Sequence, residues 1–372
     1  MPVPIAYDGT VARAHDTPAD PADAPAFRAA RDVCRRHAKD LYYASAFLPR
    51  RKRDAAHAAY AFCRMVREAV VTGEDAGPST AAARMRHTPL TALPVPPAVT
   101  DPFDAVPGGC CSSDPIGRRL SLIRDRLNAI YDGRLDLPHP AGRSEEQQVL
   151  HAFAAAVRRY QVPRQLFVDF AEGCRSDVAV LRYATWNSLE RHCRQSGGVA
   201  SLIAAGILGV THSGASDFAI RAGAALRLTA IVRDLKADAA AGRVYLPLED
   251  LASFRYSERD LTAGVVNDNF RRLIRFQVER ARRLYREAAE GTCWVAGDGS
   301  RLAAATLLVW NAATLDAIER RGYDVLTRPP APAAGDRIRR LPLAWRLARR
   351  RPGMPQPSFI AGRRNASPAA AG

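Results

Sequence analysis

Apolar residues recur at three- and four-residue intervals through most of this chain, from about Ala26 to Val71 and again from Gly117 onward. That spacing gathers them on one face of a 3.6-residue period and predicts amphipathic helices. The clearest patterns are Gly117–Arg134, Glu145–Tyr160, Arg164–Leu181, Ser188–Val210, Ser216–Gly242, Asp268–Glu290 and Ser300–Arg321. Val162-Pro163 ends the second of these, because a residue before proline is pushed out of the helical region. No stretch alternates with a period of two, and neither βαβ spacing nor a short internal repeat is found. The expected fold class is therefore all-α, a single domain of roughly eight to ten helices.

Three stretches carry no helical period. Residues 1–25 are rich in Pro and Asp and are expected to be disordered. Residues 72–116, containing PLTALPVPPAVTDPFDAVPGG, read as a Pro-rich surface insertion within a domain spanning 26–328. From 329 to 372 the chain reads as a basic, largely disordered tail.

Composition sharpens this picture. Of 372 residues 47% are hydrophobic, enough for a sizeable core, and Ala outnumbers aromatics, which favours helices. The formal net charge is +16, and nearly all of the positive charge is Arg, since Lys39, Lys52 and Lys236 are the only lysines. Asp336–Arg364 holds nine Arg against one Asp, a net +8. Such charge fits a phosphate or diphosphate ligand, an anionic membrane surface or nucleic acid. No nucleic-acid motif accompanies it, so no nucleic acid is expected. The mix of Leu, Trp and Arg in DRIRRLPLAWRLARRR (Asp336–Arg351) suits peripheral membrane contact through the tail. The seven cysteines form no CxxC pair, which fits a reducing compartment. No signal-peptide core is found near residue 1. The longest apolar run, Ser196–Val210, is shorter than the ~20 residues a membrane span needs. A soluble, cytoplasmic protein, peripheral at the membrane at most, is the expectation.

The candidate chemistry lies in RLTAIVRDLKADAAAGRVYLP, Arg227–Pro247. Asp234 and Asp238 are four apart and share one helix face. Two carboxylates so placed suit a hard cation such as Mg2+, which keeps waters and bridges to substrate phosphates. Arg233, Lys236 and Arg243 flank them, as a diphosphate requires. The pattern is weak alone, since DTPAD (Asp16–Asp20) matches it too. No phosphate loop, GxSxG elbow or HExxH motif is present.

Longer motifs add context. YYASAFLPRRKRDAAHAAYAFCR (Tyr42–Arg64), EGCRSD (Glu172–Asp177), RYATW (Arg182–Trp186), VRDLKADAAAGRVYLPLEDL (Val232–Leu251) and IERRGYDVL (Ile318–Leu326) resemble the squalene/phytoene synthase family. The resemblance covers about Ala26 to Arg328, apart from the insertion. It implies an isoprenoid synthase helical bundle around a central apolar cavity, with two aspartate-rich motifs facing each other. Each motif would hold Mg2+ against a prenyl diphosphate; ionisation would give an allylic cation that a second isoprenoid chain attacks. Carried over by position, Asp234 and Asp238 form the second motif, Arg233 and Arg243 bind diphosphate, and Tyr245 lies beside them. Arg64 is the arginine preceding the first motif.

The first motif departs from the family pattern. After YAFCR the family has xxDDxxD, whereas this chain has Arg67, Glu68 and Val71 at those positions. Only Glu68 can ligate a metal, and Arg67 can grip a phosphate instead. Further departures are Arg227, Ala230 and Ala237 around the second motif, and His192 where the family has a tyrosine. His192 suits acid–base work near neutral pH. Asp177 is retained from the family pattern, with a cap or salt bridge as its plainest role. The candidate catalytic residues are thus His192, Arg64 and Tyr245. Diphosphate ligands are Arg233, Arg243, Lys236 and Arg67, and metal ligands are Asp234, Asp238 and Glu68. Three readings stand open: a Mg2+-dependent enzyme acting on prenyl diphosphates (by condensation, cyclisation or alkylation of another acceptor), a non-catalytic relative that binds or assembles, and a basic membrane or nucleic-acid binder.

Overall fold

The computed structural model describes residues 23–72, 115–134 and 144–350 of the chain. Of the disorder expected at 1–25, residues 1–22 lie outside those described, while Ala24 and Pro25 already belong to the first helix; nearly all of the Pro-rich insertion and the last part of the tail also lie outside. Among the described residues the regular structure is helical, with two isolated bridges (Arg182 with Val244, Val210 with Val295) and no strand. Nine of these helices have ten or more residues.

The first helical pattern is divided. α1 (Ala24–His37), α2 (Lys39–Ala44) and α3 (Arg50–Thr72) replace one long run. The break falls at Leu48-Pro49, where Leu48 is extended (φ −77°, ψ 147°) as a residue before proline must be. α4 (Pro115–Tyr131), α5 (Glu145–Tyr160) and α6 (Arg164–Ala179) follow. Ser144 and Gln147 form a capping box that starts α5. α3 turns Ala55, Ala58, Phe62, Val66 and Val70 inward at helical spacing. Phe62 stacks on Phe153 of α5, and Phe167 of α6 meets both rings edge-on. These residues anchor one hydrophobic core. A shallow crevice open to solvent lies between α4 and α6, lined by Leu120, Ile123, Leu127, Val168 and Ala171.

The pattern from Ser188 to Val210 is also divided, into α7 (Trp186–Cys193), a π-helical turn (Arg194–Gly198) and α8 (Val199–Leu208). Then come α9 (Ala215–Ala240), the short α10 (Leu248–Ser253) and α11 (Glu258–Thr262), α12 (Asp268–Glu290) and α13 (Ser300–Arg320). Leu228, Ile231 and Leu235 of α9 meet Phe270, Ile274 and Val278 of α12 and Leu315 and Ile318 of α13 in a second core. By length and composition α13 could cross a membrane, but 67% of its apolar window is buried within the bundle.

The tail differs from the disordered segment expected after 329. α14 (Ala334–Arg339) and α15 (Leu341–Ala348) fold back on the bundle, with Ala344 and Leu347 fully buried. Arg337 Nε donates to Asp40 on α2 at 2.7 Å, Arg340 pairs with Asp316, and Trp310 Nε1 donates to the Arg337 carbonyl at 2.9 Å. Charges that look solvated in the sequence are matched by acids far along it. Ile338 and Trp345 remain on the surface, 73% and 48% exposed.

Candidate functional site

Helix α9 brings most of the predicted residues together. Its apolar stripe (Leu228, Ile231, Val232, Leu235, Ala239) is buried, which leaves Asp234 and Asp238 on a flank facing away from that core. Gly242 ends the helix at φ +78°, a conformation glycine adopts without strain, and the Arg243 N–H caps the Asp238 carbonyl at 2.9 Å. The reversed chain then pairs with Leu181 (Val244 N to Leu181 O, 2.9 Å), which returns Tyr245 beneath the helix.

There Tyr245 joins a buried polar cluster centred on Asp177. Oδ1 of Asp177 accepts from Arg227 Nη2 at 2.5 Å and from Tyr245 OH at 3.2 Å, and lies 3.0 Å from His192 Nε2. Arg227 Nη2 also donates to Tyr245 OH (3.2 Å), and its guanidinium lies over the Tyr245 ring. Burial alone would raise the Asp177 pKa. The hydrogen bond from His192 and the charge of Arg227, with that of Arg67 behind them, outweigh it and hold the carboxyl well below the usual range. His192, wholly buried, is driven the other way: burial lowers its pKa despite the Asp177 carboxylate, so the ring is neutral at pH 7. Asp177 claims the Nε2 proton, which leaves Nδ1 as a bare acceptor with no partner; the Tyr183 hydroxyl is likewise buried without one. Tyr183, His192 and Tyr245 stand 5.2–5.8 Å apart by ring centroid.

The π turn after α7 sets this geometry. Its Gly197 lies against Gly223 of α9 so closely that a Cβ on either would come within 2.2 Å of the other's carbonyl oxygen. Gly223 is one turn before Arg227, so backbone contact fixes how Arg227 meets the helix carrying His192. Turns of this kind occur often at functional sites.

The metal and diphosphate candidates divide. Burial, with the charge of Asp234, pushes Asp238 up to about 6 even though Arg227 and Arg243 oppose it. Two carboxylates that repel each other in a partly buried place form a donor set in want of a cation. Asp234 is meanwhile held by Arg233 in a two-pronged pair at 2.8 and 2.6 Å. The pair fits a divalent cation that completes its shell with water and phosphate oxygens. Lys236 does not join them: two residues from each aspartate, it projects from the opposite side of α9 and is exposed. Glu68 does not join them either, being drawn to Arg64 one turn earlier on α3. Among the described residues no group of three or more His, Cys, Asp or Glu side chains gathers to hold a metal. Arg67 reaches the cluster from α3, its Nη2 3.9 Å from Asp177 Oδ2, and is 54% exposed. The side chain of Val71 falls outside the described residues.

Comparison with known proteins settles the lineage. The family model for squalene/phytoene synthase matches residues 34–343. The chain belongs to the squalene/phytoene synthase family. A phytoene synthase from Arthrospira platensis is 30% identical over 90% of this chain and 96% of its own length. A 15-cis-phytoene synthase from Synechococcus elongatus is 29% identical over 82% and 87%. Among solved structures, a dehydrosqualene synthase in complex with ligand superposes with a TM-score of 0.68 at 19% identity, covering 87% of this chain and 96% of its own. Squalene synthase HpnC from Alicyclobacillus acidocaldarius gives 0.62 at 23% identity over 81% and 96%. The isoprenoid synthase fold expected from the sequence is therefore the fold observed. In this squalene/phytoene synthase family member, the residues that sequence reasoning underrated are Asp177, Arg227 and Tyr183. Arg227 stands out in the sequence only as a departure from the family's polar residue, and Asp177 only as a retained acid. Tyr183 carries no signal beyond its place in RYATW.

Proposed function

We propose that this protein carries out Mg2+-dependent ionisation and transfer of a prenyl diphosphate, as an isoprenoid synthase of the phytoene/squalene type. The observation that carries the reading is the Asp234/Asp238 pair, short of a cation and flanked by Arg233, Arg243 and Arg227. Mg2+ bound there would neutralise the departing diphosphate. Arg243 and Arg233 would orient the phosphate oxygens, and Arg233 would exchange Asp234 for substrate as the cation arrives. The apolar residues around α9 and α12 would exclude water from the allylic cation. His192 Nδ1, neutral and buried, is the base we assign to proton removal at the end of the reaction, with Asp177 holding its tautomer. Tyr245 and Arg227 position Asp177, and through it His192. The relatives named phytoene synthase support a condensation yielding a C40 product. Peripheral membrane contact is proposed for the exposed Ile338 and Trp345 beside the basic helices α14 and α15.

The test is pyrophosphate release from geranyl, farnesyl and geranylgeranyl diphosphate with Mg2+, with extraction of the organic products. A C30 or C40 hydrocarbon means condensation survives the altered first motif. A shorter hydrocarbon, an alcohol or an adduct means redirected chemistry. No release from any chain length, with the fold intact by circular dichroism, overturns the reading in favour of a binding relative.

A further inference from the structure

The α3 side of the site has chemistry that the α9 side lacks. Arg67 stands where the family has an acid, and Val71, four residues on, restores none. The acid that remains, Glu68, is turned to Arg64. Opposite them, Asp177 is already saturated at Oδ1 by Arg227, Tyr245 and His192. Its other oxygen meets Arg67 only at 3.9 Å, beyond hydrogen-bonding distance. The Arg67 guanidinium is thus aimed into the site, mostly solvated, with its donors not consumed by the ion pair. Behind it the second guanidinium, Arg227, is buried and keeps an Nε–H without a partner. Two guanidiniums meet one carboxylate here, which leaves an excess of positive charge on the exposed, Arg67 side of Asp177. That field attracts an anion and repels a cation.

We infer that Arg67 takes the place of the first metal: the α3 side binds a diphosphate group directly through guanidinium, without a divalent cation, and only the α9 side requires one. The inference rests on the prenyl-diphosphate reading above for its ligand class, but its test does not require turnover. A guanidinium presents parallel N–H donors that match two phosphate oxygens, and such charge-assisted pairs are strong. It can neutralise a diphosphate as a cation would, without needing metal ligands of its own. The site would then be asymmetric, with one diphosphate held by arginine and the other through a metal.

The experiment is titration calorimetry on the full chain with inorganic pyrophosphate and, separately, with farnesyl S-thiodiphosphate, each in EDTA and in Mg2+. Pyrophosphate is expected to bind in EDTA at one per chain. Arg67→Gln is expected to weaken that binding about tenfold, and Arg67→Lys to restore part of it. Asp234→Asn with Asp238→Asn should remove the additional binding seen with Mg2+, and Arg67→Gln should still weaken the EDTA binding about tenfold in that background. Absence of binding in EDTA, or indifference to Arg67→Gln, overturns the inference. Because Arg67 is on the surface, its variants test binding rather than folding. Tighter binding of the thiodiphosphate than of pyrophosphate identifies a prenyl ester as the ligand, and equal binding identifies a free diphosphate. If wild type releases no pyrophosphate from any prenyl diphosphate yet retains Arg67-dependent binding in EDTA, the proposed function fails and this inference stands.

Discussion

Helices α3 and α9 approach Asp177 from two sides, and both reach it with an arginine. Arg227 from α9 is buried and bonded to the carboxylate at 2.5 Å; Arg67 from α3 is exposed and stops at 3.9 Å. What lies beyond the arginines differs more. Past Arg227, α9 presents Asp234 and Asp238, whose mutual repulsion and burial raise Asp238 to about 6. Past Arg67, α3 presents Glu68, already matched by Arg64. One side needs a cation and the other has a covalently attached one. On the inference drawn above, a guanidinium substitutes for the metal on one side, the acids that would have called for that metal being absent from α3.

The largest expected effect comes from breaking the group the two sides share. Asp177→Ala leaves Arg227 buried and unpaired, and should cost about 3–5 kcal/mol of stability in urea unfolding. A loss below about 1 kcal/mol would mean the cluster is not the keystone of the interior. Next is the α9 side: Asp234→Asn or Asp238→Asn should lower Mg2+-dependent pyrophosphate release by about two orders of magnitude or more. Full activity in both would remove the metal from that helix. The comparison can also be erased. Arg67→Asp with Val71→Asp gives α3 the acids it lacks, so pyrophosphate binding in EDTA should fall at least about tenfold and return with Mg2+. Failure of Mg2+ to restore it would show that the two sides differ in more than charge.

The smallest effect is in pH. Asp238 titrates near 6 in the folded chain, above its ordinary 3.8. A raised folded pKa means that stability is complete below about 4 and declines as pH rises through about 6. Asparagine does not titrate. Without metal, Asp238→Asn should therefore melt about 2–4 °C above wild type at pH 7 and no higher at pH 4. Mg2+ should narrow or reverse the gap by binding wild type alone. Equal melting at both pH values would mean that Asp238 is not strained by its neighbours.

How much of this was legible in the sequence varies with range. The helical period found the long helices and put Asp234 and Asp238 on one flank, because both follow from neighbours within a turn or two. The same period already turned Lys236 to the far side of α9, although its charge argued for the site. The Asp177 cluster was not legible. Asp177, His192 and the Arg227–Tyr245 stretch come from three segments, and nothing local in any one of them announces that its side chains converge with the others. The docking of the tail was hidden for the same reason, since Arg337 finds its acid 297 residues away, at Asp40. The short α10 and α11 were missed because five or six residues show too little of a period to detect.

The contact between Gly197 and Gly223 separates what can change in this site from what cannot. Substitution at either position pushes a methyl into a neighbouring backbone, so the two helices must part or tilt, and Arg227 and His192 move with them. The joint therefore acts as a datum from which the site is measured. Exposed positions of α3 such as Arg67 touch neither glycine, so a change of charge there leaves that joint in place. A lineage or an engineer seeking new diphosphate chemistry would find its latitude on α3 and its tolerances on α9.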